Sequence, residues 1–210
     1  MSIDQDKIFR RAFEAAAAGF FLEALTEDQI AQLVKHYSML CHWNRRINLT
    51  RIVEPEESAR LHYAESLFGA RFIGDATSLL DIGSGAGLPA VPLAVARPDL
   101  RVVALEANQK KSLFLKEVKD ELRLDNFSVV TARLESFDWS EYDLMTSRAL
   151  DRAETFLPAV VERLAAGQRL MLFCTTDLVT SIEASLNSQS SVETHPLPQS
   201  ESRLIAIFAG

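Results

Sequence analysis

The chain is short of cysteine, of net positive charge and of long apolar runs. Its two cysteines, Cys41 and Cys174, sit in no CxxC pair and beside no histidine cluster. That excludes a disulfide framework or a thiolate metal centre as the organising feature; both read as reduced core residues, and no metal is expected. The apolar run Leu88 to Ala96 is too short to cross a bilayer. The opening MSIDQDKIFRR is mixed in charge and lacks the apolar core of a secretory signal. A cytoplasmic monomer with no membrane partner is therefore expected. The net charge is −7, which argues against a protein that grips bare nucleic acid by bulk electrostatics.

What is present is an ordinary globular composition, 48% hydrophobic and 24% charged over 210 residues, enough for one sizeable core. The basic residues are local: Arg45, Arg46 and Arg51 in one group, Lys110, Lys111, Lys116 and Lys119 in another. Solvated helix faces account for such groups; an anion contact is the alternative.

Two textures follow one another. Residues 1–75 read as a helical region. An Ala-rich helix is expected over Arg10–Phe21. Thr26 to Gln29 spells a capping box, after which Ile30, Leu33, Val34, Tyr37, Leu40 and Cys41 recur at helical spacing. A further helix runs Pro55–Phe68, with proline in its first turn. From 76 to 210, short apolar runs alternate with amphipathic helices. Strands are expected at Ser78–Ile82, Arg101–Glu106, Phe127–Thr131, Tyr142–Ser147, Arg169–Cys174, Ser190–His195 and Arg203–Phe208. Helices are expected at Leu88–Ala96, Gln109–Leu122, Ala153–Ala165 and Thr176–Ser188. This is the pattern of an α/β, doubly wound, Rossmann-like parallel sheet. The last two strands have no helix between them, so they should form an antiparallel hairpin at one edge.

The stretch DIGSGAGLP follows the first strand. Glycines at alternate positions give up stability unless the backbone turns sharply or something approaches it closely. Helix amides in such a turn favour polar or anionic ligand groups, and ligands of open α/β sheets bind at the carboxyl ends of strands. Glu106 ends the next strand, where a carboxylate can accept from both hydroxyls of a ribose. A dinucleotide satisfies the permissive GxGxxG/A pattern. S-adenosyl-L-methionine fits better, because Asp81 before Gly83, Gly85 and Gly87 can meet its ammonium group, whereas a pyrophosphate would be repelled.

WNRRINLT (Trp43–Thr50), LHYAES (Leu61–Ser66), LLDIGSGAGLPAVPLAVARPD (Leu79–Asp99), KKSLFLKEVKDELRLDN (Lys110–Asn126) and SRAL (Ser147–Leu150) occur in the order found in the RsmG family. The chain resembles these bacterial guanine-N7 methyltransferases of 16S ribosomal RNA, formerly called glucose-inhibited division protein B, from about Glu27 to Ala153. The resemblance implies a methyltransferase fold using S-adenosyl-L-methionine and acting on 16S rRNA in the small ribosomal subunit. It implies a cofactor pocket including Gly83, Leu88, Leu134, Glu135 and Arg148, with Leu88 and Leu134 on adenine or methionine carbons. Asn44, Asn48, His62, Ser66 and Arg133 match family positions near the site. Arg148 leaves the end of the fourth strand and so faces the site. Substrate contacts are expected from Arg45, Arg46, Asn48, His62, Lys110 and Lys111. The sequence departs from the family in one place: the Lys-Gly pair after the fifth strand is replaced by Cys174-Thr175-Thr176, which removes a positive charge.

Guanine N7 is a lone-pair nucleophile with no proton to remove, so no general base is required. Positioning by Arg148 and Arg133 is expected to carry catalysis. Two alternatives remain at this point: a methyltransferase of the same fold acting on a protein or small molecule, and a non-catalytic cofactor-binding module of the ribosome.

Overall fold

The computed structural model describes residues 3–20, 22–148, 153–186 and 191–210. The expected helix ends at Phe21 and Ser188, the strand start at Ser190 and Leu150 of SRAL lie outside them.

The first helices are α1 (Ile3–Gly19) and α2 (Glu27–Asn44). The capping box forms: Gln29 N–H donates to Thr26 Oγ1 at 3.2 Å, and Thr26 N–H donates to Gln29 Oε1 at 2.9 Å. The Pro55–Phe68 stretch is not one uniform α-helix. It comprises α3 (Pro55–Ser58), a π-helical segment Ala59–Ala64 and α4 (Glu65–Phe68), followed by a 3₁₀ turn Gly69–Phe72. π segments recur at functional sites. The Leu61 and His62 carbonyls of this one accept from Arg148.

Seven strands form one sheet in the order β3-β2-β1-β4-β5-β7-β6. They are β1 (Ser78–Ile82), β2 (Arg101–Leu105), β3 (Phe127–Val130), β4 (Leu144–Arg148), β5 (Arg169–Thr175), β6 (Ser191–Pro196) and β7 (Arg203–Ala209). β1 to β5 are parallel, and β7 is antiparallel to both β5 and β6. The terminal hairpin therefore enters with β7 between β5 and the edge strand β6. The chain reverses direction across the sheet between β1 and β4, the switch point at which open α/β sheets bind ligands.

The crossover helices are α5 (Ala90–Ala96), α6 (Gln109–Leu122), α7 (Ala153–Val161) and α8 (Thr176–Ser185). The first starts later than Leu88, at Ala90 with Pro89 as its N-cap, because a residue directly before proline is disfavoured in the right-handed helical region.

Alternating side chains divide the sheet between two cores. Leu79, Val102, Ala104 and Met171 face α5, α6 and the N-terminal helices. Leu80, Val103, Met145, Leu170 and Leu172 face α7 and α8. Polar side chains complete the docking of α2. Gln29 Nε2 donates to Val95 O and Gln32 Nε2 to Leu122 O, each at 2.8 Å, so α2 satisfies carbonyls that α5 and α6 leave open at their ends. No helix among the described residues is long and apolar enough to cross a membrane.

Candidate cofactor and substrate clefts

The glycine turn joins β1 to α5 and carries positive φ at Gly83, Gly85 and Gly87. Its amides are not free for a ligand as the sequence suggested. Gly83 and Ser84 donate to Leu105 O at 2.8 and 3.2 Å, Gly87 donates to Ser84 O at 2.7 Å, and Gly85 donates to Glu106 Oε2 at 2.9 Å. Gly87 answers to packing: a Cβ there would lie 2.7 Å from Val91 Cγ2, 3.1 Å from Leu115 Cδ2 and 3.4 Å from His36 Nε2. Leu88 likewise turns into the core beneath the N-terminal helices rather than into an open cleft.

Beside the turn lies a cleft of about 370 Å³. It brings together Gly83, Glu106, Lys111, Arg133, Leu134 and Glu135 from the ends of β1 and β2, the start of α6 and the segment after β3; Leu105 and Phe156 add apolar wall. Glu106 is held in place, its Oε2 by Gly85 and its Oε1 by the Asn108 N–H at 2.7 Å. Each carboxylate oxygen keeps a lone pair for a vicinal diol.

Asp81 sits just behind, 1% exposed, and neither carboxylate oxygen has a hydrogen-bond partner among the described residues. Burial pushes its carboxyl up to about 7; Ser84 and the Arg148 charge work against that rise and the Glu106 charge adds to it. An unpartnered buried carboxylate is costly unless a cation comes to it. The set of an orphaned acid, a fixed acid and apolar walls fits S-adenosyl-L-methionine, with its ammonium, its ribose and its adenine.

Arg148, expected at the cofactor site, does not line this cleft, though its charge still acts on Asp81; it ends β4 with its side chain 13% exposed and is bound on several sides. Its Nη2 donates to Glu65 Oε2 at 2.9 Å and to Leu61 O, and its Nη1 to His62 O at 3.5 Å. The π segment supplies those carbonyls. Glu65, whose side chain is 1% exposed, also faces Arg203, with Nη2 2.9 Å from Oε1. Arg148–Glu65–Arg203 therefore forms a buried cluster lining a second, mostly apolar cleft of about 290 Å³ at the ends of β4 and β5. Cys174 also lines that cleft; burial pushes its thiol up to about 12, so it offers no thiolate near neutral pH.

His62 is buried. Its Nε2 lies 2.8 Å from Thr50 Oγ1, and burial, with the Arg148 charge, lowers it to about 3. It does not stand at the surface, where a substrate contact was expected. Ser66 donates to the His62 carbonyl. Asn44 ties the WNRRINLT loop, accepting from Leu49 and Thr50 N–H and donating to Thr50 O. Trp43 packs beside Phe114 and donates to Glu117 at 3.1 Å. Arg45, Arg46, Asn48 and Lys110 are exposed.

Sequence reasoning missed His36, Glu65 and Arg203. His36 lies within the apolar stripe Leu33, Tyr37, Leu40 of α2, and Glu65 is an acid inside an apolar run; both were visible as misfits. Arg203 carried no signal, because its place depends on β7 entering beside β5, where it pairs with Thr175.

The sheet order with an antiparallel β7, the acid in β1 and the acid after β2 define the Rossmann-like class of S-adenosylmethionine-dependent methyltransferases. Solved structures share this fold. An O-methyltransferase from Bacillus cereus in complex with S-adenosylhomocysteine aligns with a TM-score of 0.54 at 17% identity, over 84% of this chain and 91% of that one. A precorrin-6y C5,15-methyltransferase from Geobacter metallireducens GS-15 aligns with 0.55 at 20% identity, over 78% and 90%. The family described as rRNA small subunit methyltransferase G (GidB) matches residues 29–193, and the chain belongs to it. Relatives of that name from Chromobacterium violaceum and Pseudomonas putida are 40% and 41% identical over 134 residues. Those matches take in 63% of this chain and 64% and 62% of the relatives, so the match spans less than two thirds of their length.

Proposed function

We propose that this protein transfers a methyl group from S-adenosyl-L-methionine to guanine N7 of 16S rRNA in the small ribosomal subunit. The observation that carries the reading is Asp81: a fully buried carboxylate with both oxygens unpartnered, at the turn that also holds Glu106. Family membership directs it towards ribosomal RNA. On this reading residues 76–210 carry the transfer and residues 1–75 cover one side of the substrate approach, in a cytoplasmic protein acting as a monomer.

When bound, S-adenosyl-L-methionine supplies an activated methyl on a sulfonium. The chain's residues do the rest by placement. Asp81 meets the ammonium, and Glu106 accepts from the ribose hydroxyls. Leu134 and Phe156 give adenine apolar contact, and Glu135 accepts from its amino group. Arg133 and Lys111 line the same cleft, and on this reading they meet phosphate. No side chain has to take a proton from N7, so the work is orientation and exclusion of water.

Calorimetry on the purified chain should show S-adenosylhomocysteine binding with NAD far weaker. Mass spectrometry of 16S rRNA should show one 7-methylguanosine missing from a strain lacking the gene and restored by the gene. Tight NAD binding without S-adenosylhomocysteine binding, or an unchanged modification map, refutes the reading.

A further inference from the structure

The second cleft lies outside the cofactor pocket, one strand over. Its wall at Ser147 is joined to the end of β1, since Ser147 Oγ donates to Ile82 O at 3.0 Å, and Ile82 itself lines the first cleft. The two clefts thus lie on neighbouring strand ends, β1 and β4. Leu157, Leu172, Phe173, Leu178 and Leu197 make the second one apolar, and Arg148, Glu65 and Arg203 supply its charge. At about 290 Å³ it falls at the lower end of small-molecule pockets, room for one planar ring system rather than a dinucleotide.

The arginines differ in what they have left to give. Arg148 is spent on Glu65 and the π-segment carbonyls. Arg203 donates from Nε to Ser200 Oγ at 3.3 Å, and its Nη2 lies beside Glu65. Among the described residues its remaining Nη donors have no hydrogen-bond acceptor, and its side chain is 31% exposed. An apolar slot with guanidinium donors at one side suits a planar base whose edge carries acceptors. Guanine presents O6 and N7 as neighbouring acceptors, whereas adenine presents an N6 donor beside N7, which would face the arginine donor to donor. Phosphate has no apolar faces for the leucines and the phenylalanine to cover.

We propose that this second cleft seats the target guanine, that Arg203 donates to its O6 while leaving the N7 lone pair free, and that Glu65 is the positioning residue holding Arg203 and Arg148 at the slot. The inference rests on the reading above and deepens it by naming where the base sits and which residue selects it. Arg203 also supplies a cation beside Thr175, at the strand end where the sequence lacks the family's lysine.

The test uses the full chain with Arg203→Ala, Arg203→Lys, Glu65→Gln and Leu178→Trp, the last filling the slot without changing charge. Three quantities are read: S-adenosylhomocysteine affinity, kcat/KM for methyl transfer to small subunits lacking the modification, and saturation-transfer NMR of GMP against AMP with S-adenosylhomocysteine saturating. Arg203→Ala and Leu178→Trp should leave S-adenosylhomocysteine affinity within about twofold and cut kcat/KM about 10- to 100-fold, as loss of a charged hydrogen bond does. Arg203→Lys should fall between. Glu65→Gln should narrow the preference for GMP over AMP, which a merely structural role would not change. If Arg203→Ala or Leu178→Trp keeps kcat/KM within about threefold of wild type, or loses cofactor affinity in parallel, the assignment is overturned. Should wild type transfer no methyl to subunits, the function reading fails and the NMR decides alone. A GMP signal lost in Arg203→Ala and Leu178→Trp supports the seat, and no GMP signal overturns it.

Discussion

His36 Nε2 lies 3.1 Å from the carbonyl oxygen of Ala86, in the middle of the glycine turn, while Tyr63 Oη lies 2.8 Å from His36 Nδ1. The carbonyl can only accept, so Nε2 carries the proton and Nδ1 accepts from the Tyr63 hydroxyl. One fully buried imidazole thus ties α2 and the π segment to the glycine turn. Burial lowers it to about 4. The folded state therefore resists protonation: its stability is full above the ordinary histidine value near 6.5 and falls as pH drops towards 4, by about 3 kcal/mol when complete. His36→Phe should lose stability at pH 7, leaving the Ala86 carbonyl and Tyr63 hydroxyl unpaired at ~1–3 kcal/mol each, yet show a flatter loss between pH 6.5 and 4. Denaturant unfolding across that range checks it; an unchanged pH slope would show that His36 does not carry the dependence.

Asp81 has the opposite sign. Its carboxyl is raised in the fold to about 7, so its neutral form is favoured there. Stability is greatest below its ordinary value near 3.8 and is lost as pH rises through about 7. Asp81→Asn removes the buried charge but leaves an amide without partners. The ligand-free chain at pH 8 should melt about 3–6 °C higher, while S-adenosylhomocysteine binds at least about tenfold more weakly. Paired scanning fluorimetry and calorimetry read both. A fall in melting temperature would mean that the carboxylate has partners in the free protein.

The glycines separate by mechanism. Gly87→Ala meets side chains at 2.7 and 3.1 Å as well as a φ of +78°, so it should destabilise by about 2–4 kcal/mol, adding overpacking to backbone strain. Gly85→Ala has its nearest neighbour at 3.7 Å, with φ +51°, and should cost only the left-handed backbone, about 1–2 kcal/mol. Urea unfolding of the two variants gives the comparison; equal losses would remove the packing role assigned to Gly87.

The strand–glycine–helix unit, the acid after β2 and the capping box were legible because each is a local pattern with a local cause. The terminal hairpin was legible from the missing helix. The fate of Arg148 was not. Its partner Glu65 is distant in sequence, and Arg203, the second arginine on Glu65, reaches the slot only through the insertion of β7 beside β5. The π segment was hidden for a related reason: its apolar spacing matches an α-helix, and the carbonyls it offers matter only once Arg148 is docked. Gly87 read as a ligand contact because a close approach can be made by a helix as well as by a cofactor, and sequence spacing does not tell the two apart; Leu88 entered only through the family resemblance.

On the proposed function, the exposed basic residues bear on the form of the RNA substrate. Arg45 and Arg46 close α2 at the surface, and Lys110 opens α6, on a chain whose net charge is −7. Few phosphate contacts mean a shallow salt dependence, since each neutralised phosphate contributes about 0.9 to the slope on duplex and about 0.7 on single strands. The remaining affinity has to come from shape, which folded RNA supplies. Assembled small subunits, or a late precursor, should be methylated efficiently and protein-free transcript poorly. Charge reversal at Arg45 and Arg46 together should weaken subunit binding about tenfold or more while cofactor affinity stays unchanged. Filter binding against salt, run beside calorimetry, measures both. Naked oligonucleotides methylated as fast as subunits, or a reversal that leaves subunit binding untouched, would refute this account of recognition.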